Sequence, residues 1–343
     1  MPSLVAVEAV PGPAFVEALR RAWDAGHAVA PVDPRLPAPA RAARLAALRP
    51  GDGVEEGDAL VVCTSGTTGT PKAAVLTHAA LAAHARAASA RLAVDPAADR
   101  WLACLPLAHL GGLGVVVRAL HTATALTFDP ADPAATLVAL VPTQLDRTDL
   151  SRFRAVLAGG SADWKPRPPQ VVHTWGLTET AGGIVYAGVP LDGVAVRADE
   201  DGQLLVAGPT LLRSYRDGPA PRVDGTWLPT GDAGSVAPDG RVEVLGRLDD
   251  AIVTGGEKVW PSQVEPVLRA HPGVADAAVA GRPDPEWGQR VTATVVPADA
   301  AAPPALADLR AFAADHLPPW CLPRELEVVA AIGKADRERR PHR

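Results

Sequence analysis

Apolar positions in the first part of the chain recur with two different periods. Phe15 to Trp23 and Ala38 to Leu48 carry them at the three- and four-residue spacing of amphipathic helices, the second set between prolines. A third helix is predicted after Thr77, whose hydroxyl suits an N-cap, with Leu81, Ala85, Ala88 and Leu92 on one face. Short apolar runs stand between the helices and stop abruptly at Gly, Pro or Thr: Leu60–Cys63, Leu137–Val141, Ala155–Leu157 and Val171–Val172. Runs this short, bounded by turn residues, predict buried strands. Strands alternating with helices predict a mostly parallel α/β sheet.

The texture changes after about Gly188. Asp201-Gly202 and Asp239-Gly240 each separate short alternating runs and predict hairpins. A boundary is expected at Gly246–Asp250, giving a large α/β domain over 1–248, with mixed sheets and hairpins, and a small α+β domain over 249–343. The small domain reads as a helix over Ser262–Ala270, strands near Val274–Ala280 and Val291–Val296, a helix near Leu306–His316 and a last strand near Glu325–Val329. Pro266 sits awkwardly in the first of these helices.

Composition narrows the function class. The chain has 343 residues, 48% of them hydrophobic, enough apolar material for two cores. A net charge of −6 argues against a nucleic-acid partner bound by phosphate neutralisation. The most apolar stretch, Leu102–Leu120, is interrupted by His109 and Arg118, so no membrane span is expected. No basic-plus-apolar leader is recognisable, and the expectation is a cytoplasmic enzyme. Cys63, Cys104 and Cys321 lie too far apart for a CxxC metal site or a disulfide framework. Only Lys72, Lys165, Lys258 and Lys334 are lysines among 33 basic residues, which marks them as candidates for a compact ammonium charge.

Lys72 closes the loop Thr64-Ser65-Gly66-Thr67-Thr68-Gly69-Thr70-Pro71. Small residues let backbone N–H groups approach an anion, hydroxyls donate to phosphate oxygens, and the ammonium neutralises charge. A Walker A loop is excluded, because Pro71 precedes Lys72 and Ala73 follows it. The loop with Thr77-His78 resembles the phosphate-loop signature of the adenylate-forming superfamily. Further blocks similar to that superfamily follow in order: Leu105–His109, Ala158–Ser161, Trp175–Thr180, Thr230–Asp232, Gly246–Asp250, Gly255–Pro261 and Gly333-Lys334.

The resemblance implies roles for particular residues. Thr64, Ser65, Gly66, Thr67, Thr68, Gly69 and Lys72 would hold the β- and γ-phosphates of ATP. Gly159, Gly160, Thr174, Trp175 and Gly176 would line the nucleotide, with Thr178 on the α-phosphate and Glu179 on Mg²⁺. Asp232 would take the ribose hydroxyls, with Arg247 beside it. Lys334 would stand between the acyl carboxylate and the α-phosphate, and His109 would gate the acyl pocket. Asp249 matches the hinge of a rotating small domain, while Gly255, Gly256 and Lys258 match the CoA tunnel. Trp260 and His173 are read as packing residues.

The segments Val141–Leu145 and Glu179–Val194 look like the o-succinylbenzoate–CoA ligase family of menaquinone biosynthesis, in its compact actinobacterial form. This likeness implies 2-succinylbenzoate, ATP and CoA as substrates and Mg²⁺ as cofactor. Gly182 and Gly183 would leave room for the aromatic ring, and Thr143, Gln144 and Ser161 are candidates for its carboxylate. Another acyl- or aryl-CoA ligase and a non-catalytic nucleotide-binding relative remain as alternatives, and nothing in the sequence decides between monomer and homodimer.

Overall fold

The computed structural model describes residues 1–64, 72–160 and 167–333. Its helices follow the predicted faces. Pro13–Asp24 begins with proline at the first helical position and buries Phe15, Leu19 and Ala22. Ala38–Leu48 stops at Arg49, which is left-handed at φ 54. In His78–Arg91 the Thr77 hydroxyl accepts from the Ala80 N–H at 3.1 Å, the expected cap. The apolar stretch around residue 110 forms the helix Leu110–Thr122, buried on nearly every side. No helix among the described residues is long and apolar enough to cross a membrane.

Six strands make one sheet, in spatial order Leu4–Glu8, Ala28–Val32, Asp58–Cys63, Ala73–Thr77, Ser214–Tyr215 and Gly218–Pro219. The first three run parallel and the rest antiparallel. A seven-stranded sheet runs Val189–Pro190, Gly182–Tyr186, Val171–Leu177, Ala155–Ala158, Leu137–Leu140, Arg100–Leu102, Ala125–Thr127. It is parallel from Val171–Leu177 onward and antiparallel at its other end. The strand Val171–Leu177 is much longer than its apolar start indicated, and His173 within it is exposed rather than packed. Both Asp-Gly pairs turn as hairpins, with Gly202 at φ 81 and Gly240 at φ 84.

The described residues fall into two compact units, drawn from 1–197, 205–230 and 236–242, and from 198–204, 231–235 and 243 onward. The first has a large core around Leu19, Leu60, Leu76, Trp101 and Leu113. The second has its own core around Val264, Leu268, Ala277, Val291 and Leu309. There the helix Pro261–Ala270 keeps Pro266 inside it, and the strands Val274–Asp284 and Gly288–Pro297 pair as a long hairpin joined by Glu325–Val328.

Candidate active site

In the first unit, the strand Val171–Leu177 delivers the chain into a single tight turn, Thr178–Thr180, before the strand Gly182–Tyr186 returns. Thr180 is fully buried and pins this turn: its hydroxyl accepts from the Leu177 N–H at 2.8 Å and lies 2.7 Å from the Gly182 carbonyl. Gly176 is obligatory, since a Cβ there would stand 2.1 Å from the Gly182 carbonyl oxygen. The Glu179 carbonyl accepts from the Leu212 N–H at 2.7 Å. The turn therefore holds Thr178 and Glu179 on a rigid corner, and Glu179 Oε1 accepts a 2.8 Å hydrogen bond from the Tyr215 hydroxyl.

Lys72 reaches the same place from the neighbouring sheet. The Thr64 N–H donates to the Lys72 carbonyl at 2.7 Å, closing the neck of the loop whose residues 65–71 lie outside the described residues. The Lys72 ammonium is 5.4 Å from the centroid of the Tyr215 ring. Ser65, Gly66, Thr67, Thr68 and Gly69 share that exclusion, as do Ser161 and Lys334. Thr64, Lys72, Thr178 and Glu179 thus belong to one unit, with an ammonium and a carboxylate sharing one phenol.

Behind the turn lies a buried polar group that the sequence did not announce. Arg118 is 5% exposed on the helix Leu110–Thr122, stacked at 4.6 Å on the Trp101 ring, and its Nε and Nη1 make no hydrogen bond among the described residues. Close to its charge are His84 and Tyr186, both buried. His84 shares a 2.8 Å hydrogen bond between Nε2 and the Gly183 carbonyl; burial, with help from the Arg118 charge, lowers its pKa to about 4. The imidazole is therefore neutral and donates from Nε2. A Cβ on Gly182 would come within 3.2 Å of this ring, and one on Gly183 within 3.0 Å of Thr174. Local packing, with Gly182 at a φ of 126, thus already disfavours a side chain at either glycine.

The other expected acyl and nucleotide residues sit as follows. His109 is the exposed N-cap of the helix Leu110–Thr122. Thr143 is exposed, and Gln144 spends its side-chain oxygen on the Val141 N–H at 3.2 Å, capping a short helix. Thr174 donates to the Ala158 carbonyl at 3.3 Å, beside Gly159. Trp175 is half-buried and Gly160, at φ 104, is exposed.

The second unit holds the remaining candidates. Asp232 is buried and paired with Arg247 at 2.9 Å. The arginine crosses directly over Gly231, where a Cβ would stand 2.5 Å from Nη2. Trp260 is packed as expected, its indole N–H donating to the Arg247 carbonyl at 3.3 Å. Asp249 is exposed in a single turn over Leu248–Asp250. Gly255 and Gly256, at φ 59 and 88, form the two-residue turn of a hairpin whose next residues include Lys258, which donates to the Asp201 carbonyl at 3.4 Å.

Residues 49–216 match the family model described as AMP-binding enzyme, and residues 263–337 the one described as AMP-binding enzyme C-terminal domain. A protein of Mycobacterium tuberculosis named probable 2-succinylbenzoate–CoA ligase is 40% identical over 335 residues, covering 85% of this chain and 86% of its own length. The chain belongs to the AMP-binding enzyme family. Its fold is that of the adenylate-forming enzymes. The o-succinylbenzoate CoA synthetase of Bacillus subtilis, solved with its acyl-adenylate intermediate OSB-AMP, superposes with a TM-score of 0.80 at 24% identity over 98% of this chain and 86% of its own. E. coli MenE, bound to a phenylether-linked analogue of OSB-AMS, gives 0.78 at 27% identity over 96% of this chain and 84% of its own.

Proposed function

We propose that the chain is an AMP-forming acid–thiol ligase that joins 2-succinylbenzoate to CoA through an acyl-adenylate. The observation that carries the choice of acid is Arg118. An arginine almost fully withdrawn from water, with two nitrogens that lack partners among the described residues, is costly unless a ligand completes it. 2-Succinylbenzoate is a dianion: one carboxylate reacts, and the other, on the ring, needs a fixed cation. The guanidinium supplies that cation, and the relatives named above support the same substrate.

The reaction then uses the chain's residues in two steps. The succinyl carboxylate oxygen attacks the α-phosphorus of ATP and diphosphate leaves. The CoA thiolate next attacks the acyl carbon and AMP leaves, giving the thioester of menaquinone biosynthesis. Lys72 and the Thr64 loop hold the polyphosphate, Thr178 the α-phosphate, and the Asp232–Arg247 pair the ribose. Lys334 stabilises the charge that builds at the α-phosphate, worth about 10² to 10³ in rate. Asp249 acts as the hinge between 1–248 and 249–343, and Gly255, Gly256 and Lys258 receive the pantetheine arm.

Glu179 fits Mg²⁺. One carboxylate oxygen is oriented by Tyr215 and the other makes no hydrogen bond among the described residues. These contain no cluster of three His, Cys, Asp or Glu able to hold a metal. A single carboxylate plus substrate phosphates is the arrangement Mg²⁺ favours, and when bound it neutralises the phosphate charge. Both co-substrates, ATP and CoA, place the reaction in the cytoplasm.

The test is mass spectrometry of reactions with ATP, Mg²⁺ and 2-succinylbenzoate, first without CoA and then with it, beside octanoate and benzoate. The expected result is an o-succinylbenzoyl-AMP signal that converts to the CoA thioester. Adenylate from a control acid alone would replace the substrate. No adenylate from any acid, in protein that binds ATP, would mark a non-catalytic relative.

A further inference from the structure

Tyr215 lies on a strand of only two residues, Ser214–Tyr215, yet the chain on both sides of it is anchored. The backbone on either side is bonded, Arg213 N–H to the Val75 carbonyl and Arg216 N–H to the Ala73 carbonyl, both at 2.9 Å. Arg213 grips the buried Asp58 with Nε at 2.9 Å and Nη2 at 2.8 Å, and also pairs with Glu55. Arg216 reaches the Leu48 and Gly53 carbonyls at 3.2 and 3.0 Å. Guanidinium clamps on both flanks, Arg213 and Arg216, hold one tyrosine in place.

What that tyrosine touches gives the clamps a purpose. Its hydroxyl binds Glu179 and its ring face carries Lys72. The two opposite charges do not pair with each other among the described residues. A direct ammonium–carboxylate pair would spend each charge before a substrate arrived.

We infer that Tyr215 is a positioning residue that holds Glu179 and Lys72 apart but adjacent, so that the acid stays available to a divalent cation and the base to the polyphosphate. This rests on the reading of Glu179 and Lys72 as the holders of metal and phosphate. The phenol suits the task because it is a neutral donor with an electron-rich face. Tyr215→Phe keeps the ring and loses the hydroxyl; Tyr215→Leu loses both.

The experiment is calorimetric titration of ATP into the full chain, with Mg²⁺ and with EDTA, on the parent, Tyr215→Phe, Tyr215→Leu and Glu179→Gln proteins and the Tyr215→Phe/Glu179→Gln double variant. Melting temperatures are recorded beside it. Tyr215→Phe is expected to leave metal-free ATP binding and the melting temperature unchanged, and to weaken the Mg²⁺-dependent gain in affinity about three- to tenfold. In the Glu179→Gln background the same change should do nothing further. Tyr215→Leu should also weaken metal-free ATP binding, because Lys72 loses its support. Tighter Mg²⁺ coupling in Tyr215→Phe, or an equal loss in both backgrounds, would overturn the inference. If Glu179→Gln itself leaves the Mg²⁺ gain intact, the reading of Glu179 fails, and this inference with it.

Discussion

Arg118→Met separates stability from function with opposite signs. A buried guanidinium without a carboxylate costs several kcal/mol of desolvation, of which stacking on Trp101 returns about 1–2 kcal/mol. Methionine fills similar volume with no charge to bury, so the variant should be more stable by about 1–3 kcal/mol, or roughly 2–8 °C in Tm. Catalysis moves the other way. The ring carboxylate of 2-succinylbenzoate would enter an apolar pocket with no counter-charge, and kcat/KM should fall about 10² to 10³. For 4-oxo-4-phenylbutanoate, the same acid without the ring carboxylate, kcat/KM should hold or rise. The assay is coupled diphosphate release with both acids, beside thermal melts of both proteins. A variant that melts lower and loses both acids equally would refute the reasoning, because Arg118 would then be a structural residue.

Three further predictions address other parts of the molecule. His84 is neutral when folded, with its pKa lowered to about 4 by burial, while the unfolded chain takes up its proton near 6.5. That stability is fully present above pH 6.5 and is lost towards pH 4, by about 1.4 kcal/mol per unit, so His84→Gln should flatten the fall in Tm between pH 7 and 5. Hydrogen bonds from Arg154 hold the Asp99 carboxyl at about 2, stability present above the unfolded value of 3.8 and lost as pH falls to 2. Because Arg154 is 41% exposed, Asp99→Asn should cost only about 1–2 kcal/mol in urea unfolding at pH 7. Gly231→Ala would drive a Cβ into Arg247 at a φ of 71; KM for ATP should rise about tenfold while KM for CoA holds.

Legibility in the sequence followed how local the cause was. Thr77 caps its helix and the Asp-Gly pairs turn because the deciding atoms lie within a few residues. The strand Val171–Leu177 was read too short because His173-Thr174-Trp175-Gly176 has no apolar alternation; its neighbours Ala155–Ala158 and Gly182–Tyr186 make it a strand. The strand Ser214–Tyr215 has too few residues for any period to register, and Tyr215 went unnoticed. His84 sits on the helix whose apolar face Leu81, Ala85, Ala88 and Leu92 predict, and Arg118 on the helix Leu110–Thr122, which no sequence expectation covers; each is a polar residue inside a core. The signal for Arg118 is a charge inside the apolar stretch Leu102–Leu120, which argues against a membrane span and equally marks a buried cation.

The residues that were missed share a physical logic with those that were found. A site for a dianionic acid and a polyphosphate must keep its cations unneutralised until the substrates arrive, yet bare charges are the most expensive groups a protein can hold. Lys72 and Arg118 each rest on an aromatic face instead of a carboxylate, Tyr215 and Trp101 respectively. An aromatic face steadies a cation by about 0.5–2 kcal/mol without occupying its hydrogen-bond donors. A carboxylate partner would bind more strongly and leave the substrate to compete with it. Arg247 is the informative contrast: it is paired with Asp232 at 2.9 Å, as befits a group whose proposed ligand, the ribose, carries no charge. On the proposed roles, the partner of each cation tracks the charge of what it is to meet, and Trp101→Leu should both lower Tm, because a fully buried ring is lost, and weaken 2-succinylbenzoate binding, read by thermal melts beside calorimetric titration.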